Sequence, residues 1–178
     1  MAPTIKTKKN PRDLPMFSGL KGEVPAAEIR RILGVDSGNF QAYLNRDLLE
    51  CETYTQGKRT YRRFFRRHVP FYSVVGSLLL LSIPIGLAVD AADTYLRQLD
   101  EWQEKGMGDY DYFIACENRA IFADGQSGLQ ESMEEMHNSA CIVIHNELAA
   151  KKIMAELTAI DRVIAVDKES RRDDAHHE

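Results

Sequence analysis

Apolar residues recur at two different spacings along the first half of the chain. Ala26, Ile29, Ile32 and Leu33 fall at helical intervals and predict one buried stripe. Pro25 suits the first helical position, because its missing N–H would have no helical partner there. Gly34 predicts a left-handed stop, and Val35 carries the chain through a tight turn. Asp36 or Ser37 can cap a second helix by accepting a hydrogen bond from an orphan N–H. That helix buries Phe40, Leu44 and Leu48, with Tyr43 at the edge of the stripe. Ser37, Asn39, Gln41, Asn45 and Arg46 are left as candidates for its outer face. From Glu50 to Thr55 the pattern becomes strand-like, Gln56-Gly57 makes a turn, and Lys58 to Tyr61 returns as a second strand.

No charged residue occurs from Val69 to Val89, and Arg62, Arg63, Arg66 and Arg67 stand just before that run. It is long enough to cross a bilayer with positive charge on one flank, so a single-pass anchor over 69–89 is an alternative. Pro70, Ser73, Gly76, Ser77, Ser82, Pro84 and Gly86 interrupt its apolarity. A pair of packed helices explains these residues better, one ending near Leu81 and the other running from Pro84 to about Lys105. Ala88, Ala91, Ala92, Tyr95, Leu96, Leu99 and Trp102 give the second an apolar side opposite Asp90, Asp93, Arg97 and Glu101.

Gly106-Met107-Gly108, with Asp109 and Asp111, predicts a domain boundary. Beyond it, Tyr110 to Cys116 and Ala120 to Ala123 read as paired strands around a turn at Glu117-Asn118-Arg119. Leu129 to His137 reads as a short acidic helix, and Ala140 to His145 as a third strand buried on both faces. Asn146 can cap a last helix with Glu147 in its first turn. Leu148, Ile153, Met154, Leu157, Ile160, Val163 and Ile164 continue its apolar stripe to about Val166. Such a helix exceeds what a three-stranded sheet can cover, and its far end predicts a partner, most simply its copy in a homodimer. Residues 1–22 read as a flexible basic arm, with a turn or short hairpin over Met16 to Glu23, and 167–178 as a disordered tail. The expected fold class is mainly α with small β: a module over 23–105 with a helix pair, then a small α+β dimerisation or effector module over 109–166.

Composition changes this picture in one respect. The net charge of −4 conceals an asymmetry, since residues through Pro70 hold 14 Lys+Arg against 7 Asp+Glu and the remainder 9 against 20. A basic half followed by an acidic half suits a polyanion-binding module joined to something that avoids polyanions. Three separated cysteines, Cys51, Cys116 and Cys141, predict free thiols in a reduced cytoplasmic setting. His137, Cys141 and His145 have helical ligand spacing, but the segment between them reads as strand, which spreads them too far for one metal ion. No phosphate-cradling loop, nucleophile elbow or metalloprotease motif occurs, so no enzyme, cofactor or metal is expected.

Two compact helices joined by a Gly-containing turn form a helix-turn-helix, whose second helix can enter a major groove. The hairpin that follows is a wing carrying Lys58 and Arg59, with Arg62 and Arg63 next in line. Cations suit phosphates and amides suit base edges. With Asp36 at the cap, Tyr43 late in the helix, Leu48-Leu49, and Gly57, Arg59 and Tyr61 in the wing, residues 24–99 resemble the MerR-type winged helix-turn-helix regulators. The chain departs from that pattern at Gly38, Gln41 and Asp47, where the family often has Arg, Arg and Gly. The resemblance implies a dimeric transcription regulator that twists duplex promoter DNA, with RNA polymerase as a further partner. It places Asn39 near base edges and Tyr43 and Arg59 on the DNA backbone. The expected interface is Ser37, Asn39, Gln41 and Asn45 in the groove, with Arg46 beside them, and Tyr43, Lys58, Arg59, Tyr61, Arg62 and Arg63 along the phosphates. The other alternative is a non-enzymatic adaptor whose helix-turn-helix contacts protein.

Overall fold

The structure, a computed structural model, describes residues 15–56, 59–105, 110–116, 119–135 and 141–174, the side chains at 15, 102–105, 116, 119–121 and 167–174 excepted. The fold is mainly helical with two small antiparallel sheets. In chain order the elements are β1 (Glu23–Val24), α1 (Ala26–Leu33), α2 (Ser37–Asn45), β2 (Glu52–Gln56), β3 (Arg59–Phe65), α3 (Val69–Leu80) and α4 (Ile85–Lys105). They continue as β4 (Tyr112–Cys116), β5 (Arg119–Ala123), α5 (Gly125–Glu135), β6 (Ile142–His145) and α6 (Asn146–Asp174).

The local signals at the first two helices act as their chemistry predicts. Pro25 is the N-cap residue of α1, one place earlier than the expected first helical position, with an extended ψ of 138°. Gly34 ends α1 in the left-handed conformation, φ 67° and ψ 30°, where a side chain would be strained. Asp36 caps α2 by accepting a 2.8 Å hydrogen bond from the Asn39 N–H. Ile29, Ile32, Leu33, Phe40 and Leu44 are buried as the spacing requires. Leu48 falls beyond the end of α2 and is only partly covered, while Leu49 takes the buried place.

The 69–89 run divides as expected, with α3 and α4 separated by a turn in which Ser82 has φ 63°. Among the described residues, no helix is long and apolar enough to cross a membrane. Helix α3 is instead the centre of the core: Val69, Phe71, Tyr72, Val74, Val75 and Leu78 are all buried. One side of it meets α1 backbone to helix. A Cβ added at Gly76 would lie 2.3 Å from the Ile32 carbonyl oxygen, well inside van der Waals contact. A second side receives α6, which runs antiparallel to it. Arg66, just before α3, pairs with Asp161 through two N–O contacts of 2.5 and 3.0 Å, and Ile153, Leu157 and Ile160 of α6 are buried.

The sheet of the second half is ordered β5-β4-β6. Strand β4 is its centre, and its alternation serves two packings. Phe113 and Ala115 face the main core with Phe122 and Ile144, whereas Ile114 faces Ala123 and Leu129 under α5. This corrects the expectation that the 140–145 strand is buried on both faces. Strand β6 is an edge, with Ile144 buried and Val143 38% exposed; composition alone does not reveal which apolar strand lies in the middle. Phe113 also joins the two halves, its ring 5.3 Å from that of Tyr95 on α4, so the core is continuous across the predicted boundary; residues 106–109 lie outside the described residues.

Four further expectations are revised at the ends of elements. Of the arm over 1–22, residues 1–14 lie outside the described residues, but Met16 donates its N–H to Asp100 Oδ1 and Phe17 and Leu20 pack on the core. Asn146 does not act as a cap acceptor: its Nδ2 donates to the Tyr110 carbonyl, and its N–H donates to the Asp111 carbonyl, fastening α6 to the start of β4. Helix α6 continues to Asp174, where a disordered tail was expected, because nothing from Asn146 to Asp174 is Gly or Pro. Helix α5 starts four residues earlier than Leu129, at Gly125, whose φ is 62°. Cys51 and Cys141 are half-buried.

Two outcomes test this packing. Gly76→Ala is expected to cost about 3 kcal/mol in urea denaturation, since the new methyl meets a carbonyl rather than a flexible side chain. Gly86→Ala in the first turn of α4, where a Cβ meets nothing within 4 Å, is expected to be neutral or stabilising. Burial pushes the Tyr95 phenol from 10.0 up to about 12. Its contribution to stability is therefore complete below its ordinary value and lost as pH rises toward the folded one, which phenolate absorbance in the native and unfolded states will show.

Candidate nucleic-acid interface

The exposed surface of α2 is uncharged and rich in hydrogen-bonding groups. Ser37, Asn39, Gln41 and Asn45 are all exposed, whereas Phe40 and Leu44 are buried. The β2–β3 hairpin stands next to it, registered Glu52↔Arg63, Tyr54↔Tyr61 and Gln56↔Arg59. What fixes the hairpin against α2 is Phe64, whose ring lies 5.8 Å from Phe40 and 6.3 Å from Tyr72. Behind it, the Tyr72 hydroxyl donates to the Glu50 carbonyl, Arg67 Nη2 donates to Glu52 Oε1 at 2.6 Å, and buried His68 lies 3.6 Å from the Glu50 carboxylate. The stem of the hairpin is thereby tied to the start of α3.

Strand alternation from Phe64 sorts the sequence-predicted cations onto two faces. Arg62 shares the Phe64 face and reaches α2: its Nη2 donates to Asn45 Oδ1 at 2.9 Å, and Gln41 Nε2 donates to the same oxygen at 3.2 Å. Arg62, Asn45 and Gln41 thus form one polar chain across the two elements. Thr60, exposed on that same face, belongs with them; counting back by two from the buried Phe64 finds it in the sequence. Arg59, Tyr61 and Arg63 lie on the reverse face. Tyr61 stacks on Tyr54 at 5.1 Å, and Arg63 covers the Tyr54 ring at 4.5 Å while pairing with Glu23 at 3.4 Å. The hairpin is therefore not one basic surface. Arg59 is exposed at the loop end of β3, and Lys58 lies outside the described residues.

The remaining predicted positions divide similarly. Tyr43 is half-buried against the core, and Arg46 is exposed at the end of α2. Asp47 follows with φ 54°, a left-handed conformation that favours glycine. Asn39 is engaged within its own turn, its Nδ2 donating to Asp36 Oδ2 at 2.6 Å. The backbone and side chain of Asn39 together hold the Asp36 carboxyl below the usual carboxylate range. A fixed negative charge consequently covers the start of α2, and an approaching phosphate would meet Arg62, Arg46 and Arg59 more favourably than that helix end.

The sign of the Asp36 shift gives a pH test. A carboxylate whose folded pKa is depressed stabilises the fold at pH values above its unfolded pKa, and that contribution is lost as pH falls through the folded one. The Asn39 amide resonance is expected to move in that acid window in the wild type and to stay still there in Asp36→Asn. No protein-family model matches this chain, and no curated protein matches it.

Proposed function

We propose that the chain is a duplex-DNA-binding regulator that uses α1, α2 and the β2–β3 hairpin as a winged helix-turn-helix of the MerR type, and that it acts as a homodimer. The observation that carries this reading is the joined polar surface of α2 and β3, in which Arg62 meets Asn45 and Gln41 within hydrogen-bonding distance. Uncharged amides on an exposed helix suit base edges, and the flanking Arg46, Arg59 and Arg62 suit phosphates. The left-handed backbone at Asp47 further supports the resemblance, because the family pattern has Gly at that place. Dimerisation is assigned to the far part of α6, where Val163 and Val166 remain 40% and 61% exposed on a helix whose other side is buried. RNA polymerase is the further partner that such a regulator would engage.

A protein-contacting adaptor is the second reading. It is favoured by Asp36, whose ionised carboxylate sits at the end of α2, and by the engagement of Arg63 with Glu23. Salt dependence separates the two. The full chain is expected to bind random duplex DNA at low salt and to weaken steeply with added salt, as counterion release requires. Arg59→Ala with Arg62→Ala is expected to reduce the slope of log K against log salt by about two. Binding that is equally weak in both proteins at all salt concentrations would remove the DNA role and leave the adaptor.

A further inference from the structure

A cleft of about 330 Å³ opens between α3, β6 and the first turns of α6, away from the α2 surface. Small-molecule sites commonly run from roughly 300 to 1,000 Å³, so this one suits a small ligand. Its walls are mostly apolar, with Val74 and Leu78 from α3, Ile144 from β6 and Leu148 from α6. Against that lining stand four polar side chains, Ser73, Ser77, His145 and Lys152. Ser73 is 1% exposed, and its hydroxyl has no hydrogen-bond partner among the described residues. His145, also in the lining, has an enclosed Nδ1 that is likewise unpartnered. Among the described residues, Lys152 supplies the only ammonium or guanidinium in the wall, half-exposed at the α6 side.

A buried hydroxyl or imidazole nitrogen left unsatisfied is destabilising, and such groups in native proteins call for an explanation. The neighbouring Ser77 shows the ordinary solution, donating its hydroxyl to the Ser73 carbonyl at 2.9 Å. The antiparallel packing of α6 on α3 brings Ser73 alongside the Lys152 turn, while Leu81 lies toward Leu148. Ser73 and Lys152 thus mark one end of the cleft and Leu81 and Leu148 the other, with His145 next to the start of α6. One cation and one hydroxyl donor suit a single carboxylate, and the apolar walls suit an unbranched hydrocarbon chain; a multiply charged phosphate ester would find too little positive charge.

We propose that this cleft is a binding site for a small amphipathic monocarboxylate, its carboxylate accepting hydrogen bonds from Lys152 and Ser73 and its chain lying against Val74, Leu78 and Leu148. The site is independent of what α2 contacts. The test is calorimetric titration of the full chain with decanoate and with decanol, in the wild type, Lys152→Met, Ser73→Ala and Leu148→Trp. Decanoate is expected to bind saturably, one per chain, and decanol about tenfold more weakly, the loss expected for a charge-assisted hydrogen bond. Lys152→Met should weaken decanoate by about tenfold and leave decanol unchanged. Ser73→Ala should weaken decanoate in the same direction. Leu148→Trp, at a position 60% exposed and so compatible with folding, should block both ligands. Non-saturable uptake, equal affinity for acid and alcohol, or binding indifferent to Leu148→Trp would overturn the site. So would failure to bind either ligand together with a dimer that Leu148→Trp dissociates, for the cleft would then be a contact between copies.

Discussion

The approach of α1 to α3 at Gly76 sets the geometry on which the other packings depend. With no side chain at that position, the Ile32 carbonyl oxygen lies 2.3 Å from where a Cβ would be, and the two helices meet at a spacing that larger residues forbid. Leu33 and Ile29 are buried in the same core cluster as Val75 and Tyr72, and α2 follows after a turn only three residues long. The position of α2 is thus inherited from a backbone contact outside α2 itself.

Helix α3 extends this control in the other direction. Its Tyr72 hydroxyl holds the chain entering the hairpin, and Phe64 of β3 rests between Phe40 and Tyr72. On a further side α3 receives α6, where two ion pairs mark the join: Arg31 of α1 with Glu156 at 2.7 Å and Arg66 with Asp161. Each is solvent-exposed in part, so each contributes only about 0.5 kcal/mol. Burial of Ile153, Leu157 and Ile160 supplies the larger part of that contact. A single helix therefore adjoins the two-helix unit, the hairpin stem and the apolar cleft.

These ties also account for how positive charge is distributed. Arg31, Arg63, Arg66 and Arg67 are engaged with Glu156, Glu23, Asp161 and Glu52, so much of the basic excess of the first half serves to join elements. Arg46, Arg59 and Arg62 are left around the exposed amides of α2, with Arg62 shared between neighbours. Net charge by halves is consequently a poor guide to the surface that a polyanion would meet.

Much of the fold was legible because its signals are local. The stripe of Ile29, Ile32 and Leu33, the left-handed Gly34, the Asp36 cap and the break near Ser82 depend on a few neighbouring residues, and their chemistry dictates the backbone directly. The exposure of Ser37, Asn39, Gln41 and Asn45 was legible too, since each is a short polar side chain on a helix whose apolar positions are Phe40 and Leu44. Which arginines join that face was not, because Glu156 and Asp161 lie far along the chain from Arg31 and Arg66, and long-range pairing leaves no mark in local spacing. The edge position of β6, the two-sided burial of β4 and the cleft lined by Ser73, His145 and Lys152 likewise required three-dimensional assembly. Sequence by itself determined where helices and strands begin and how their faces divide; tertiary structure decided which faces meet, because that depends on contacts between residues remote in the chain.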